Sequence, residues 1–266
     1  MAISASEVEP PRPGDSYVQS FARGLEVIRS FSAAAPRQTL TEVAGRTGLT
    51  RAGARRILLT LQTLGYVETD GKLFRLTPRI LDLGFAYLSS MPIWNLAEPV
   101  MEDLAMRVKE SCSAAVLEGT DIVYVLRVST RKIMSIGLGA GSRLPAYCTS
   151  MGRMLLADLP DEEVRRRLNA TKRTAFTRHT VIDVEALLAK VQQARRQGWC
   201  LVNQELEEGL MSIAAPLCNH AGQTVAALNI SGQANRTGVK LMQETMLPPL
   251  REAAQAISRL LASQRP

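Results

Sequence analysis

Histidine is scarce in this chain, with two residues among 266. His179 and His220 fall in unrelated segments, and a surface-loop position suits each. Cysteine is nearly as rare, with four. Cys112, Cys148, Cys200 and Cys218 are scattered and form no C-x-x-C pair, which argues against a zinc finger or a disulfide framework. Packed thiols in a reducing cytoplasm fit them best. No apolar run approaches the ~18 residues that a membrane span needs. The first twenty residues carry Pro10, Pro11 and Pro13 but no apolar stretch, so no secretory signal is expected. Gly137, Gly139 and Gly141 are followed by neither a P-loop lysine nor Rossmann spacing. With no nucleophile–base pair, metal cluster or phosphate loop, no enzyme activity is expected, and no metal or cofactor.

The chain is not short of apolar residues. Hydrophobic residues make 46% and charged residues 21%, a globular mix that excludes a disordered chain. Acids are short in one place. Between positions 17 and 80 ten basic residues face Glu26, Glu42, Glu68 and Asp70, so the segment carries +6 of the total +7. A small basic module precedes a larger, nearly neutral one, as in an electrostatic reader attached to something else.

The 1–16 tail is Pro-rich and polar, so disorder is expected there. Val18, Phe21, Leu25 and Ile28 recur at helical spacing. A short helix follows at Leu40–Arg46, then a turn at Gly48, then a helix from Arg51 to Leu64 capped by Thr50. Tyr66–Glu68 and Leu73–Leu76 flank Asp70-Gly71, a hairpin signal of type I′. Thr77-Pro78 opens another helix, apolar nearly all round, which must be covered either by a partner subunit or by the rest of its own chain. Beyond Pro92 the pattern is α+β. A helix spans Leu96–Lys109, with strands at Ser113–Leu117, Ile122–Val128 and Ile133–Leu138. Helices follow at Ser150–Ala157, Asp161–Leu168 and Val184–Arg196. Three more strands, Cys200–Leu206, Ser212–Cys218 and Val225–Ser231, precede a last helix at Val239–Leu261. This order predicts one mainly antiparallel sheet with helices on its faces.

Leu40 to Leu59 fits a helix-turn-helix, with Val43, Ala44, Leu49, Ala54 and Ile57 where two helices touch. Thr50, Arg51, Ala52, Arg55, Arg56, Leu59 and Thr63 then lie along the start and outer face of the second helix. Arginines among small residues suit a major groove, since a guanidinium can bind guanine O6 and N7 together. Lys72 and Arg75 on the hairpin suit phosphate or minor-groove contacts, making this a winged helix. The alternative is a merely solvated basic face.

A second constellation lies near Tyr147–Arg153, which leads into a helix whose free N–H groups suit a carboxylate. Ser212 lies on a strand, and Asn229 and Ser231 share one sheet face on another. Alternatively, Ser150 is only a helix cap and the others satisfy the sheet interior.

These residues resemble the IclR family of bacterial transcription regulators, over about Tyr17 to Leu261. The strongest local match runs from Gly198 to Asn219. Gly198, Glu205, Ser212, Ile213, Ala214, Leu217 and Asn219 agree with the family pattern, while Val202 and Cys218 depart from it. QSFARGLEVIRSF, LTRAGARRILLTLQTLGYV, LTPRILDLGFAYLSS, RLPAYCTSMGRMLLA and ELEEGL are similar to the subgroup regulating protocatechuate and β-ketoadipate metabolism. The resemblance implies a winged helix at 17–77, a linker helix at 78–92 and a GAF-like effector domain at 93–262. It implies double-stranded operator DNA as a partner, homodimers, and dimers paired as tetramers on DNA. It implies an effector pocket using backbone N–H groups at Ser150 and Met151 and strand positions Ser212, Asn229 and Ser231. One polar contact in some members falls at Val202, which favours a larger, partly apolar carboxylic acid over one as small as glyoxylate. The rival readings are an enzyme with a DNA-binding appendage and an architectural DNA binder without effector.

Overall fold

A computed structural model describes residues 17–90, 93–129 and 138–263. The 1–16 tail, and the strand expected over 133–138 apart from its last residue, lie outside the described residues. The chain divides between Tyr87 and Leu88 into two units.

In the first unit, α1 (Gln19–Ser30) leads to a two-residue strand β1 (Gln38–Thr39), then α2 (Leu40–Thr47) and α3 (Arg51–Thr63). A hairpin of β2 (Val67–Thr69) and β3 (Leu73–Leu76) follows. Thr39 and Glu42 cap α2 reciprocally. The Thr39 hydroxyl accepts from the Glu42 N–H at 3.3 Å, and a Glu42 carboxylate oxygen accepts from the Thr39 N–H at 2.7 Å. Two donors that a helix start leaves free are thereby satisfied. Gly48 ends α2 at φ +66°, a left-handed angle that a residue without Cβ adopts freely. The Thr50 hydroxyl then accepts from the Gly53 N–H at 3.1 Å and starts α3. Val27, Val43, Ala44, Ala54, Leu58, Leu61 and Val67 form the unit's core.

Three features differ from the sequence reading. First, β1 joins the hairpin in a sheet of order β1-β3-β2; two residues are too few to show a period. Second, Val18 and Phe21 keep helical spacing yet are 64% and 68% exposed, and α1 is anchored by Val27 instead. Third, the hairpin turn is not type I′, which needs positive φ at both central residues. Only Gly71 has it, at +97°. The Asp70 carboxylate accepts from the N–H groups of Lys72 and Leu73 at 3.0 and 2.8 Å, which holds a longer loop. Beyond β3, Pro78–Ile80 make a 3-10 turn that runs into α4 (Leu81–Ser89). Thr77 does not cap it through its side chain; its hydroxyl donates to the Gly65 carbonyl at 2.5 Å.

The second unit opens with α5 (Ile93–Val108), β4 (Ser111–Glu118), β5 (Asp121–Val128) and β6 (Arg143–Pro145). A 3-10 turn, Ala146–Cys148, precedes α6 (Ser150–Leu156), α7 (Asp161–Ala170) and α8 (Val184–Gln197). Strands β7 (Cys200–Asn203), β8 (Leu210–Cys218) and β9 (Thr224–Gln233) follow. The last helix starts as α9 (Val239–Leu241), passes through a π-helical turn at Met242–Met246, and continues as α10 (Leu247–Ser263). The strands make one antiparallel sheet of order β6-β5-β4-β9-β8-β7. This is the α+β arrangement expected.

Strand side chains alternate between faces, and the two faces have different jobs. Leu228 and Ile230 of β9 face α5 and α10, where Met101, Leu104, Leu250 and Ile257 complete an apolar layer. Ala115, Ala214 and Ala227 face the other way, toward α6 and α8. Their small side chains leave room for a short helix to lie close to the sheet. That second face also carries Asn229 and Ser231, so the sheet's polar residues collect on the side covered by α6.

Candidate DNA-reading helix and effector cavity

The basic face of α3 is open. Arg51, Ala52, Arg55, Arg56, Leu59 and Thr63 are exposed, while Ala54, Leu58 and Leu61 turn into the core. Among the described residues none of the three arginines has a carboxylate partner, so their charge is unspent. Thr50 is exposed too, although its hydroxyl already serves the cap. Lys72 sits exposed in the hairpin loop. Arg75 does not stand free: its Nε donates to a Glu68 carboxylate oxygen at 2.5 Å across the strand pair. Both partners are half exposed, so the pair is weak, on the order of 0–1 kcal/mol. A phosphate could displace the carboxylate.

The other constellation gathers in the second unit. Ser150, Met151, Val202, Ser212, Asn229 and Ser231 all line one narrow cavity of about 20 Å³. The cap of α6 is Thr149, whose hydroxyl accepts from the Gly152 N–H at 3.1 Å. Ser150 is therefore not the cap, and its side chain is released into the cavity, where it lies 2.9 Å from the Ser212 hydroxyl. The N–H groups of Ser150 and Met151, at the first turn of α6, make no hydrogen bond within the described residues.

The Asn229 amide is largely committed. Its oxygen accepts from the Ser113 N–H at 3.1 Å, and its nitrogen donates to the Ser231 hydroxyl at 3.0 Å. Asn229 thus orients Ser231 and has one N–H left. Counting donors and acceptors, the cavity offers the two backbone N–H groups, one hydroxyl hydrogen of the Ser150–Ser212 pair, the Ser231 hydroxyl and that last amide hydrogen. Among the described residues no acidic side chain lines it. Burial pushes the Cys148 thiol up to about 12, so it contributes a neutral wall. Leu144, Val202, Leu206 and Leu210 supply the apolar part. The arrangement can hold an anionic oxygen at one side of an apolar body.

Two family models match the chain: an IclR helix-turn-helix domain over residues 20–71, and the C-terminal domain of the bacterial transcriptional regulator IclR over 85–259. The chain belongs to the IclR family. A Pca regulon regulatory protein of Pseudomonas putida is 40% identical over 262 residues, 98% of this chain and 90% of that protein. Among solved structures, one from Rhodococcus sp. RHA1, described as a transcriptional regulator, superposes with a TM-score of 0.83 at 48% identity. It covers 92% of this chain and 98% of its own. An IclR homolog from Microbacterium hydrocarbonoxydans complexed with 4-hydroxybenzoate gives a TM-score of 0.79 at 28% identity. The match covers 91% of this chain and 98% of that one. As an IclR-family chain, the protein is a transcription regulator with a DNA-binding and an effector-binding part.

The IclR-type cavity rests on residues that the sequence reading gave no role. Arg153, one turn into α6, is 1% exposed, and its Nη1 and Nη2 donate to the two Glu205 oxygens at 2.7 and 2.5 Å. Its Nε donates to the Tyr147 carbonyl at 2.8 Å. Glu205 follows β7, so this fork ties α6 to the loop that carries Leu206. Glu205 was visible as a match to the family pattern, but its partner was not, because 52 residues separate them. Gly152 is a second case. A Cβ there would lie 2.2 Å from the Ala146 carbonyl oxygen. Only glycine lets the 3-10 turn fold back on α6 and bring the Ser150 and Met151 N–H groups to the cavity. No helix among the described residues is long and apolar enough to cross a membrane.

Proposed function

We propose that this regulator binds operator DNA through α3 and the hairpin and responds to a small carboxylic acid held in the α6 cavity. The genes it governs serve aromatic breakdown by the protocatechuate and β-ketoadipate route, acting on DNA in the cytoplasm. What carries the reading is the cavity's inventory: hydrogen-bond donors grouped at one side, no acid among the described lining residues, and an apolar remainder. The 4-hydroxybenzoate complex of the Microbacterium homolog supports the same class of ligand, and the Pca regulon relative supports the pathway.

In this reading, 17–77 is the DNA-binding domain, 78–92 the linker helix and 93–262 the effector domain. Arg51, Arg55 and Arg56 reach base edges; Thr50, Ala52, Leu59 and Thr63 set how closely α3 approaches; Lys72 and Arg75 meet the backbone. The effector carboxylate takes the N–H groups of Ser150 and Met151. Ser212 and Ser231 bond its other oxygens, Asn229 orients Ser231, and Val202 covers the apolar part. The helix start is only two turns long, so the local N–H groups and hydroxyls do more than the helix dipole. The working form is a homodimer, paired as tetramers on DNA.

Calorimetric titration of the full chain with 4-hydroxybenzoate, protocatechuate and adipate tests the site. At least one acid binds the wild type, and Ser212→Ala with Ser231→Ala weakens it at least tenfold. A ligand at 100 times its Kd adds ~2.7 kcal/mol to stability, so thermal shift gives an independent reading. Failure of all three acids to bind, or full affinity in the double variant, overturns the pocket.

A further inference from the structure

The polar sheet face continues past the cavity's lining. One row runs Arg127 on β5, Ser113 on β4 and Asn229 on β9, paired in register, and of the three Asn229 lines the cavity. Arg127 is half-buried, and its Nη1 donates to the Ser113 hydroxyl at 3.1 Å. That is its one side-chain partner among the described residues, and it has no carboxylate. A half-buried guanidinium carries five N–H donors, so most of its capacity is unspent. Tyr124, also on β5, lines the cavity and is 5% exposed. Its hydroxyl makes no hydrogen bond among the described residues. The residue is nine-tenths buried and lines the cavity, while its unpaired hydroxyl keeps some accessible surface.

We propose that Arg127 and Tyr124 form a second recognition pole that reads a second carboxylate on the effector, at the opposite side of the cavity from Ser212. The proposal rests on the effector reading above and adds which acids the site prefers. Arg127 reaches back over β4, and Ser212 lies two strands further on, across β9. At about 4.8 Å per strand, the poles stand roughly 10 Å apart, enough for two acidic groups joined by a short chain or a ring. Leu144, on β6 beyond β5, and Leu206, on the loop after β7, add apolar wall to the cavity. Burial raises the Tyr124 phenol above its usual range, and Arg127 only partly offsets this. Tyr124 therefore stays a neutral donor at physiological pH, as a carboxylate requires. The Arg127 guanidinium supplies the charge-assisted part, stronger than a neutral hydrogen bond.

The test compares adipate with hexanoate, acids of one chain length that differ in the second carboxylate. Calorimetry on the full-length wild type is expected to show adipate binding at least tenfold more tightly than hexanoate. Arg127→Met removes that preference, costing adipate about 10- to 100-fold and leaving hexanoate within about twofold. Arg127→Lys restores part of it, and Tyr124→Phe takes away a smaller share. Hexanoate affinity, together with an unchanged melting temperature, shows that each variant is folded. Equal affinity of the wild type for both acids, or an adipate affinity that Arg127→Met leaves unchanged, overturns the second pole while the first stands. If neither acid nor 4-hydroxybenzoate binds, both readings fall.

Discussion

Arg55 and Arg56 are exposed neighbours on α3, and neither has an acidic partner among the described residues. Basic side chains held this way are ready for DNA without breaking any internal pair. A lost bidentate base contact costs ~1–3 kcal/mol and relaxes specificity at one base pair. Arg55→Ala and Arg56→Ala should each weaken binding to an operator selected from random duplexes by about 5- to 150-fold, with unchanged melting temperature. Fluorescence anisotropy reads the affinity; wild-type values in both variants would remove α3 from the recognition surface. Arg153 is the opposite kind of arginine. It is fully buried and its fork is filled by Glu205 and the Tyr147 carbonyl. Such a pair adds little net stability over an apolar substitute, but removing one partner leaves a buried charge at a cost of ~3–5 kcal/mol. Its contribution is to fix where α6 starts.

At the scale of elements, what the sequence made legible followed the strength of its local signals. Thr50 before an amphipathic run, with Gly48 two residues ahead, marked the helix-turn-helix, and α2 and α3 begin at the residues expected. The long alternating strands β8 and β9 were equally clear, and with them the shared face of Asn229 and Ser231. Short elements escaped. β1 and β6 have two and three residues, and pairing rather than periodicity makes them strands. The stripe of Val18, Phe21 and Leu25 misled because amphipathic spacing shows that a face is apolar, not what covers it. The cavity was half legible. Its six expected residues share one wall because helix starts and strand parity are local properties. Tyr124 and the pairing of Arg153 with Glu205 were missed because they depend on pairing across the sheet and on a contact 52 residues apart.

At the scale of the whole molecule, apolar surface remains to be covered. Leu81 and Phe85 of α4 are 70% and 69% exposed, and Phe21 of α1 is similar. Fully burying one such side chain contributes ~1.5–3 kcal/mol, so two copies gain substantially by packing these helices together. Two DNA-binding units would then face half-sites about one turn, ~34 Å, or a multiple apart. Phe85→Glu should convert a dimer at micromolar concentration into monomer in sedimentation velocity. A monomeric wild type, or a variant that stays fully dimeric, would place the interface elsewhere.

The central claim is that the α6 cavity governs DNA affinity. A ligand shifts DNA binding only as far as it favours one arrangement of the two units over another. Coupling of ~1–3 kcal/mol corresponds to about 5- to 150-fold. The direct measurement is operator affinity by anisotropy, with and without a saturating concentration of whichever tested acid binds most tightly, for the wild type and for Ser212→Ala with Ser231→Ala. The account predicts that the acid shifts the wild-type Kd by at least fivefold. It predicts that the double variant, whose ligand-free DNA affinity matches the wild type, needs at least tenfold more acid to reach half of that shift. An unshifted wild type at saturation, or a half-effect concentration that the double variant leaves unchanged, would contradict it.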